Sequence, residues 1–187
     1  MGFKVLLSDM NMFEGSKVLL RYYKDSDIEK AHKFINDYDI SKYLAKGAVF
    51  PLSFGEEEEF IKNNKSNSNL TYNFAIEDID TGDYIGGCGI NNTDLKNRNC
   101  EIGIFIGDKN VWGKGYGTDA LEVLINFIFN ELNLEKIKLS TYSFNDRAIK
   151  CYTKLGFEVE GTLKKEIFRD GKYHDTILMA MFREKYC

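Results

Sequence analysis

The sequence predicts an α/β protein in which a sheet of about seven strands carries about four helices on its faces. The apolar residues alternate between the strand period of about two residues and the helix period of about 3.6, in the order βααβββαβαββ. The chain has 187 residues, which suits one domain, and 43% hydrophobic and 14% aromatic residues suffice for one core. We therefore expect a single domain over residues 1–187.

The first third of the chain predicts one strand and two helices. Lys17 to Tyr22 has the composition of a strand, and Asp25-Ser26-Asp27 supplies the N-cap of a helix that continues to about Tyr38. After the single proline, Ser53 and Glu56 form an S-x-x-E capping box, which begins a second helix that ends at about Asn63.

The middle of the chain predicts an antiparallel meander. Short β-prone runs occupy Leu70 to Ile79, Tyr84 to Asn91 and Asn99 to Ile106. Residues 80–83 and 94–97 separate them with turn-forming compositions. Three consecutive strands with tight connections favour neighbouring positions in one sheet.

The last part of the chain predicts two helices and three strands. From Gly115 to about Asn130 the apolar residues repeat along one helical stripe, and Asn145 to Leu155 forms a short helix that Gly156 closes as a C-cap. The strands lie at Lys136–Thr141, Glu158–Phe168 and Tyr173–Phe182, the last two joined by a turn at Asp170-Gly171.

Charge and cysteine content exclude several classes of function. The formal net charge of −4 gives no general attraction to nucleic acid, and no apolar run is long enough to span a bilayer. The segment from Met1 to Glu14 lacks the pattern of a signal peptide, so we expect a cytoplasmic protein without membrane partners. The cysteines form no CxxC pair, so we expect no metal site and reduced, mostly buried thiols at Cys88, Cys100, Cys151 and Cys187.

A glycine-rich turn between a strand and a helix gives the main indication of function. Gly113, Gly115 and Gly117 allow the backbone to approach a ligand, while the helix N-terminus and Lys114 supply positive charge, so the turn suits a diphosphate. Residues 115–120 also match the G-x-G-x-x-A form of a dinucleotide fingerprint. Glu135, the acidic residue about 20 positions on, precedes the next strand instead of following it, which disfavours a dinucleotide.

Two segments resemble the GNAT superfamily of N-acetyltransferases. Trp112-Gly-Lys-Gly-Tyr-Gly117 is similar to its acetyl-CoA diphosphate loop, [QR]-x-x-G-x-[GA], with Trp112 where glutamine or arginine is usual. Asn145 to Phe157 is similar to its N-x-x-[SA]-x-x-x-Y-x-K-x-G-F segment. The resemblance covers Val18 to Phe182 and favours the ribosomal-protein N-terminal or diamine (spermidine) acetyltransferase type, the latter through the hairpin at Glu166–Asp175.

The resemblance implies a mixed, mostly antiparallel GNAT sheet and acetyl transfer from acetyl-CoA to a primary amine, either polyamine-like or a protein N-terminus. It implies that Tyr152 protonates the departing thiolate and that Glu101 accepts the amine proton. It also implies that the backbone of Ile104, Phe105 and Ile106 and the side chain of Asn145 hold the cofactor arm, and that the diphosphate lies on Trp112, Gly113, Lys114, Gly115, Tyr116, Gly117 and Thr118. A homodimer is a further expectation by analogy. The alternative is a non-catalytic acyl-CoA-binding or regulatory module on the same fold.

Overall fold

The computed structural model describes residues 11–44, 47–64 and 70–186, so Cys187 and most of the segment from Met1 to Glu14 lie outside these ranges. The described part of the chain forms one seven-stranded sheet in the order β1-β2-β3-β4-β5-β7-β6. Its strands are β1 (Val18–Arg21), β2 (Tyr72–Asp78), β3 (Tyr84–Asp94), β4 (Asn99–Ile106), β5 (Lys136–Tyr142), β6 (Glu158–Arg169) and β7 (Lys172–Phe182). Every neighbouring pair is antiparallel except β4 and β5, which confirms the mixed, mostly antiparallel sheet.

Five α-helices lie within the described ranges, one more than the sequence predicts. They are α1 (Ile28–Ile35), α2 (Tyr38–Leu44), α3 (Phe54–Asn63), α4 (Tyr116–Asn130) and α5 (Asp146–Lys154). The capping box at the start of α3 is confirmed, since the Ser53 side chain accepts from the Glu56 N–H and the Glu56 carboxylate accepts from the Ser53 N–H. No helix in these ranges is long and apolar enough to cross a bilayer.

The missed helix is α2, and a local cap explains it. The prediction of one helix through about Tyr38 was wrong, because α1 ends at Ile35 and Asn36 is its C-cap. The Asp37 carboxylate then accepts the Asp39 N–H at 2.9 Å, which begins a new helix. Lys109 forms ion pairs with both Asp37 and Asp39, so α2 is held against the segment that precedes the glycine-rich turn.

The helices cover both faces of the sheet. On β2, Phe74 and Ile76 point into the core formed with α4 and α5, whereas Ala75 points into a smaller core formed with α1 and α3. The described cysteines are unpaired, and Cys88 and Cys100 are buried, which agrees with the predicted reduced thiols. This two-sided covering leaves ligands few ways to reach the centre of the sheet.

The parallel pair provides such an entry. β4 and β5 pair only over Asn99–Glu101 and Lys136–Lys138. Beyond these residues β4 remains paired with β3, while β5 remains paired with β7 along its whole length. The two strands therefore separate towards their carboxyl ends, and a gap opens in the middle of the sheet.

A buried carboxylate fixes the start of α4 beside this gap. Asp119, in the first turn of α4, is 8% exposed. It accepts from the backbone N–H groups of Ser16, Lys17 and Val18 at 2.8–3.0 Å and from the Ser16 hydroxyl at 2.8 Å. A Cβ at Gly15 would collide with this carboxylate. Asp119 thus joins the chain that enters β1 to the helix that follows the glycine-rich turn.

We expect Asp119→Ala to lower the free energy of unfolding by about 2–4 kcal/mol, because it leaves several partly buried donors without an acceptor. Urea denaturation followed by circular dichroism measures this change. Glu122→Ala is the matched control, since Glu122 is exposed on the same helix and should shift stability by less than about 0.5 kcal/mol. Equal effects of the two substitutions would contradict the role given to Asp119.

Candidate active site

A cavity of about 820 Å³ lies where β4 and β5 separate. This volume is typical of sites that hold a small-molecule ligand or cofactor. Its wall includes these predicted site residues: Glu101, Ile104, Phe105, Ile106, Trp112, Gly113, Gly115, Tyr116, Gly117, Thr118, Asn145 and Tyr152. A smaller cavity of about 380 Å³ beside Lys30 and Asp83 contains none of them.

The glycine-rich turn presents to this cavity N–H donors for which the described part of the chain provides no acceptor. Gly113 and Gly115 have φ angles of 73° and 92°, a left-handed conformation that favours glycine. Gly115 is the N-cap of α4 and has no side chain to accept the N–H groups of the first helical turn. Those donors, at Tyr116, Gly117 and Thr118, and the helix dipole together suit the binding of an anion, so the predicted diphosphate site has the donors that it requires and stays a prediction.

The shape of the turn fits a phosphate group. A Cβ at Gly113 would meet no atom within 4 Å, and one at Gly117 would meet only the Ile106 side chain at 3.5 Å. The main chain is therefore bare on the side that a ligand approaches. The Lys114 side chain is exposed and does not lie on the cavity wall, so its role in diphosphate binding stays a prediction.

One edge of β4 is also open to the cavity. From Ile102 to Ile106 the strand pairs with β3 on one side only. The N–H and C=O groups on the other side can bind a ligand that carries amides, as if the ligand were an added strand. The Ile106 carbonyl already accepts the Trp112 indole N–H at 2.8 Å, which fixes the orientation of the indole ring.

Helix α5 lies directly beside the glycine-rich turn. The Thr118 hydroxyl and the Cys151 thiol are 3.3 Å apart, and the Arg147 guanidinium carbon lies 3.7 Å from the centre of the Trp112 ring. The two segments that carry the family resemblance therefore form one wall. Arg147 and Cys151 are not among the predicted site residues, because periodicity does not reveal contacts between residues about thirty or more positions apart.

Tyr152 lies on α5 with its ring nearly buried. It is 8% exposed, lines the cavity and packs edge-on against Phe157, with ring centres 5.9 Å apart. Burial, followed by the neighbouring Cys151, raises the pKa of Tyr152 to about 12. The phenol is thus protonated throughout the neutral pH range and is available as a proton donor.

Glu101 occupies the point at which β4 and β5 stop pairing. It lies opposite Asn91 of β3 and Lys138 of β5, and it is half-buried on the cavity wall. No hydrogen bond or ion pair to its carboxylate is found among the described residues. A carboxylate in this position is free to accept a proton or to bind an ammonium group.

Asn145 has a structural role that the resemblance did not imply. It is the N-cap of α5, and its side-chain oxygen accepts the Ala148 N–H at 3.3 Å. Asn145 also lies on the cavity wall. Its contact with a cofactor arm stays a prediction, and the cap does not use its side-chain NH₂ group.

The other end of the cavity was not predicted. Its apolar residues come from α2 and α3 and are Ile40, Tyr43, Leu44 and Phe60. Its floor contains Gly89 and Gly103, which lie opposite one another on β3 and β4. Three of the four apolar residues belong to α2, which the sequence did not predict as a separate helix, so this part of the wall was not predicted either.

Comparison with known proteins identifies the family to which the chain belongs. The sequence model of the acetyltransferase (GNAT) domain matches residues 17–158. The spermidine N(1)-acetyltransferase of Vibrio cholerae is 28% identical over 171 residues, covering 91% of this chain and 96% of that protein. The uncharacterized N-acetyltransferase p20 of Bacillus licheniformis is 28% identical over 170 residues, covering 91% and 95%.

A solved structure gives the same result. The spermidine N-acetyltransferase from Vibrio cholerae in complex with CoA and spermine aligns with a TM-score of 0.80 at 29% identity, over 91% of this chain and 98% of that chain. The matched domain is more than half of the present chain and contains every residue of the cavity wall. The chain therefore belongs to the GNAT family of N-acetyltransferases, whose acyl donor is acetyl-CoA.

Proposed function

We propose that the protein transfers the acetyl group of acetyl-CoA to the primary amine of a small molecule, by direct attack of the amine in a ternary complex. The supporting observation is the continuous wall of the cavity. It combines a turn with unpaired N–H donors, an open strand edge, a buried phenol and a half-buried carboxylate. These are the groups that positioning, proton removal and leaving-group protonation require.

Different groups on the cavity wall bind the cofactor, orient it and transfer protons. The N–H donors at the start of α4 hold the diphosphate, and the open edge of β4 orients the arm that carries the acyl group. Acetyl-CoA, when bound, supplies the thioester that the amine attacks. Glu101 accepts the proton of the incoming ammonium, directly or through water, and Tyr152 donates its phenolic proton to the thiolate that departs.

The acceptor that we propose is a small amine of the polyamine class and not a protein N-terminus. The support comes from relatives: two spermidine N-acetyltransferases, from Vibrio cholerae and Escherichia coli, match this chain, the latter at 42% identity over 74 residues. The Glu101 carboxylate on the cavity wall can bind one ammonium group of such an amine. We also propose a cytoplasmic location and an oligomeric assembly of this single domain, in line with a relative whose structure is dodecameric.

A panel of amines tests the reaction and its acceptor together. Release of free thiol from acetyl-CoA is followed with spermidine, spermine, simple alkylamines and a peptide with a free N-terminus. We expect turnover with one or more small amines and not with the peptide. Tight CoA binding without turnover on any amine would contradict the proposal and would instead indicate a non-catalytic acyl-CoA-binding module.

Tyr152→Phe should lower kcat by about 10²–10⁴ and leave the Kd of acetyl-CoA nearly unchanged, because it removes a proton donor and keeps the ring. Since the pKa of the Tyr152 phenol is about 12, the wild-type enzyme should lose no activity through its ionisation below about pH 10. Tyr84→Phe, a buried tyrosine outside the cavity, is the control. An unchanged kcat in Tyr152→Phe would show that Tyr152 is not the proton donor.

Glu101→Gln should lower kcat/KM for the amine by about 10²–10³ at pH 7. A primary amine has a pKa of ~10.4, so a growing fraction arrives neutral as the pH rises and the need for a base declines. The ratio of wild-type to variant kcat/KM should therefore fall between pH 7 and 9.5. Glu122→Gln, on the exposed side of α4, serves as control. A ratio that stays constant with pH would show that Glu101 is not the base.

A further inference from the structure

The glycine-rich turn has an aromatic residue at a position where the family motif has a polar one. Trp112 lines the cavity, and its indole N–H donates to the Ile106 carbonyl at 2.8 Å. This bond joins the ring to the end of β4 and so restricts its rotation. The exposed face of a fixed indole is a good platform for a planar cation.

The Arg147 guanidinium stacks on the Trp112 ring. Its guanidinium carbon lies 3.7 Å from the centre of the Trp112 ring, within the range of a cation–π contact. Both side chains lie on the wall of the cavity, beside the unpaired N–H groups at the start of α4. The stack covers one face of the guanidinium, and its five N–H donors project from the edge of the plane, where a phosphate binds.

The charge around Arg147 suits a polyanion. Arg147, Lys150 and Lys154 lie on one face of α5, at a spacing of three and four residues, and all three line the cavity. No carboxylate in the described part of α5 or its neighbours forms an ion pair with any of them. These charges thus remain available to a ligand and are not neutralised within the fold.

We infer that Arg147, stacked on Trp112, is a binding residue for the phosphates of acetyl-CoA, and that Trp112 is its positioning residue. The inference rests on acetyl-CoA being the acyl donor. A guanidinium supplied by α5 takes the place of the polar side chain that the turn lacks at position 112. The specificity of the site for phosphate thus depends on a contact between the two segments of the family motif.

Binding measurements on the purified full chain test this inference. Isothermal titration calorimetry gives the Kd for CoA and for dephospho-CoA, and steady-state kinetics gives kcat/KM for S-acetylpantetheine, which has no phosphate. Arg147→Ala should raise the Kd of CoA roughly 10- to 100-fold, the range expected for loss of a charged hydrogen-bond pair. Its kcat/KM with S-acetylpantetheine should equal that of the wild type.

The same measurements locate the phosphate. If Arg147→Ala loses the same affinity for CoA and for dephospho-CoA, Arg147 binds the diphosphate. If it loses affinity for CoA alone, Arg147 binds the 3′-phosphate. Both outcomes support the inference. Lys96→Ala is the matched control, since Lys96 is an exposed cation in the β3–β4 turn, away from the cavity, and its Kd values should match those of the wild type.

The positioning role of Trp112 has its own readout. Trp112→Ala should raise the Kd of CoA. The double variant Trp112→Ala/Arg147→Ala should have a Kd no higher than that of the single variant that binds CoA more weakly, because each substitution removes the same contact. Trp112→Phe should restore most of the affinity, since it keeps an aromatic face for the cation. Additive losses, or no recovery with Phe, would overturn the positioning role.

Two results would overturn the inference, and they are distinguishable. Suppose that the wild type binds CoA. If Arg147→Ala binds CoA equally well, or if its kcat/KM with S-acetylpantetheine falls by the same factor as its affinity for CoA, the assignment of Arg147 fails and the proposed function stands. If the wild type binds no CoA at all, both fail. Thermal unfolding of each variant confirms that the altered proteins are folded during the titrations.

Discussion

The separation of the two parallel strands is the constraint on which the site depends. β4 and β5 share only three residue pairs, and each is then held by its outer neighbour, β3 or β7. Neither strand can move inwards to close the gap without breaking those outer pairings. From Ile102 to Phe105 the inner backbone groups of β4 pair with no other strand within the described ranges, a costly state unless a ligand or water binds them. The fold thus maintains an open edge in the middle of its own sheet.

The start of α4 adds a second set of unpaired groups beside this edge. Gly115 provides no side-chain cap, and Asp119, the one acidic residue in the first turn, is engaged by the chain that enters β1. Its carboxylate is therefore turned away from the N–H donors and does not compete with an anion for them. A backbone anion site and an open strand edge meet at Ile106 and Trp112, where an indole N–H joins them. The same indole supports Arg147, so one side chain connects the strand, the turn and α5.

Much of this arrangement could be predicted from the sequence, because it depends on local patterns. Periodicity placed all seven strands, and glycine spacing identified the turn that opens α4. The break between α1 and α2 was missed because it depends on a carboxylate cap at Asp37 and not on the spacing of apolar residues. The stack of Arg147 on Trp112 could not be predicted either, since it depends on how α5 packs beside the turn and not on either segment alone.

Amide hydrogen exchange, measured by mass spectrometry with and without saturating CoA, shows whether the open edge of β4 and the glycine-rich turn bind the cofactor. We expect slower exchange in residues 102–118 and 147–154, which form the open edge, the turn and the neighbouring helix. We expect little change around Lys30 and Asp83, which line the smaller cavity. Unchanged exchange in residues 102–118 at saturating CoA, or slower exchange confined to the smaller cavity, would show that the cofactor does not bind between β4 and β5.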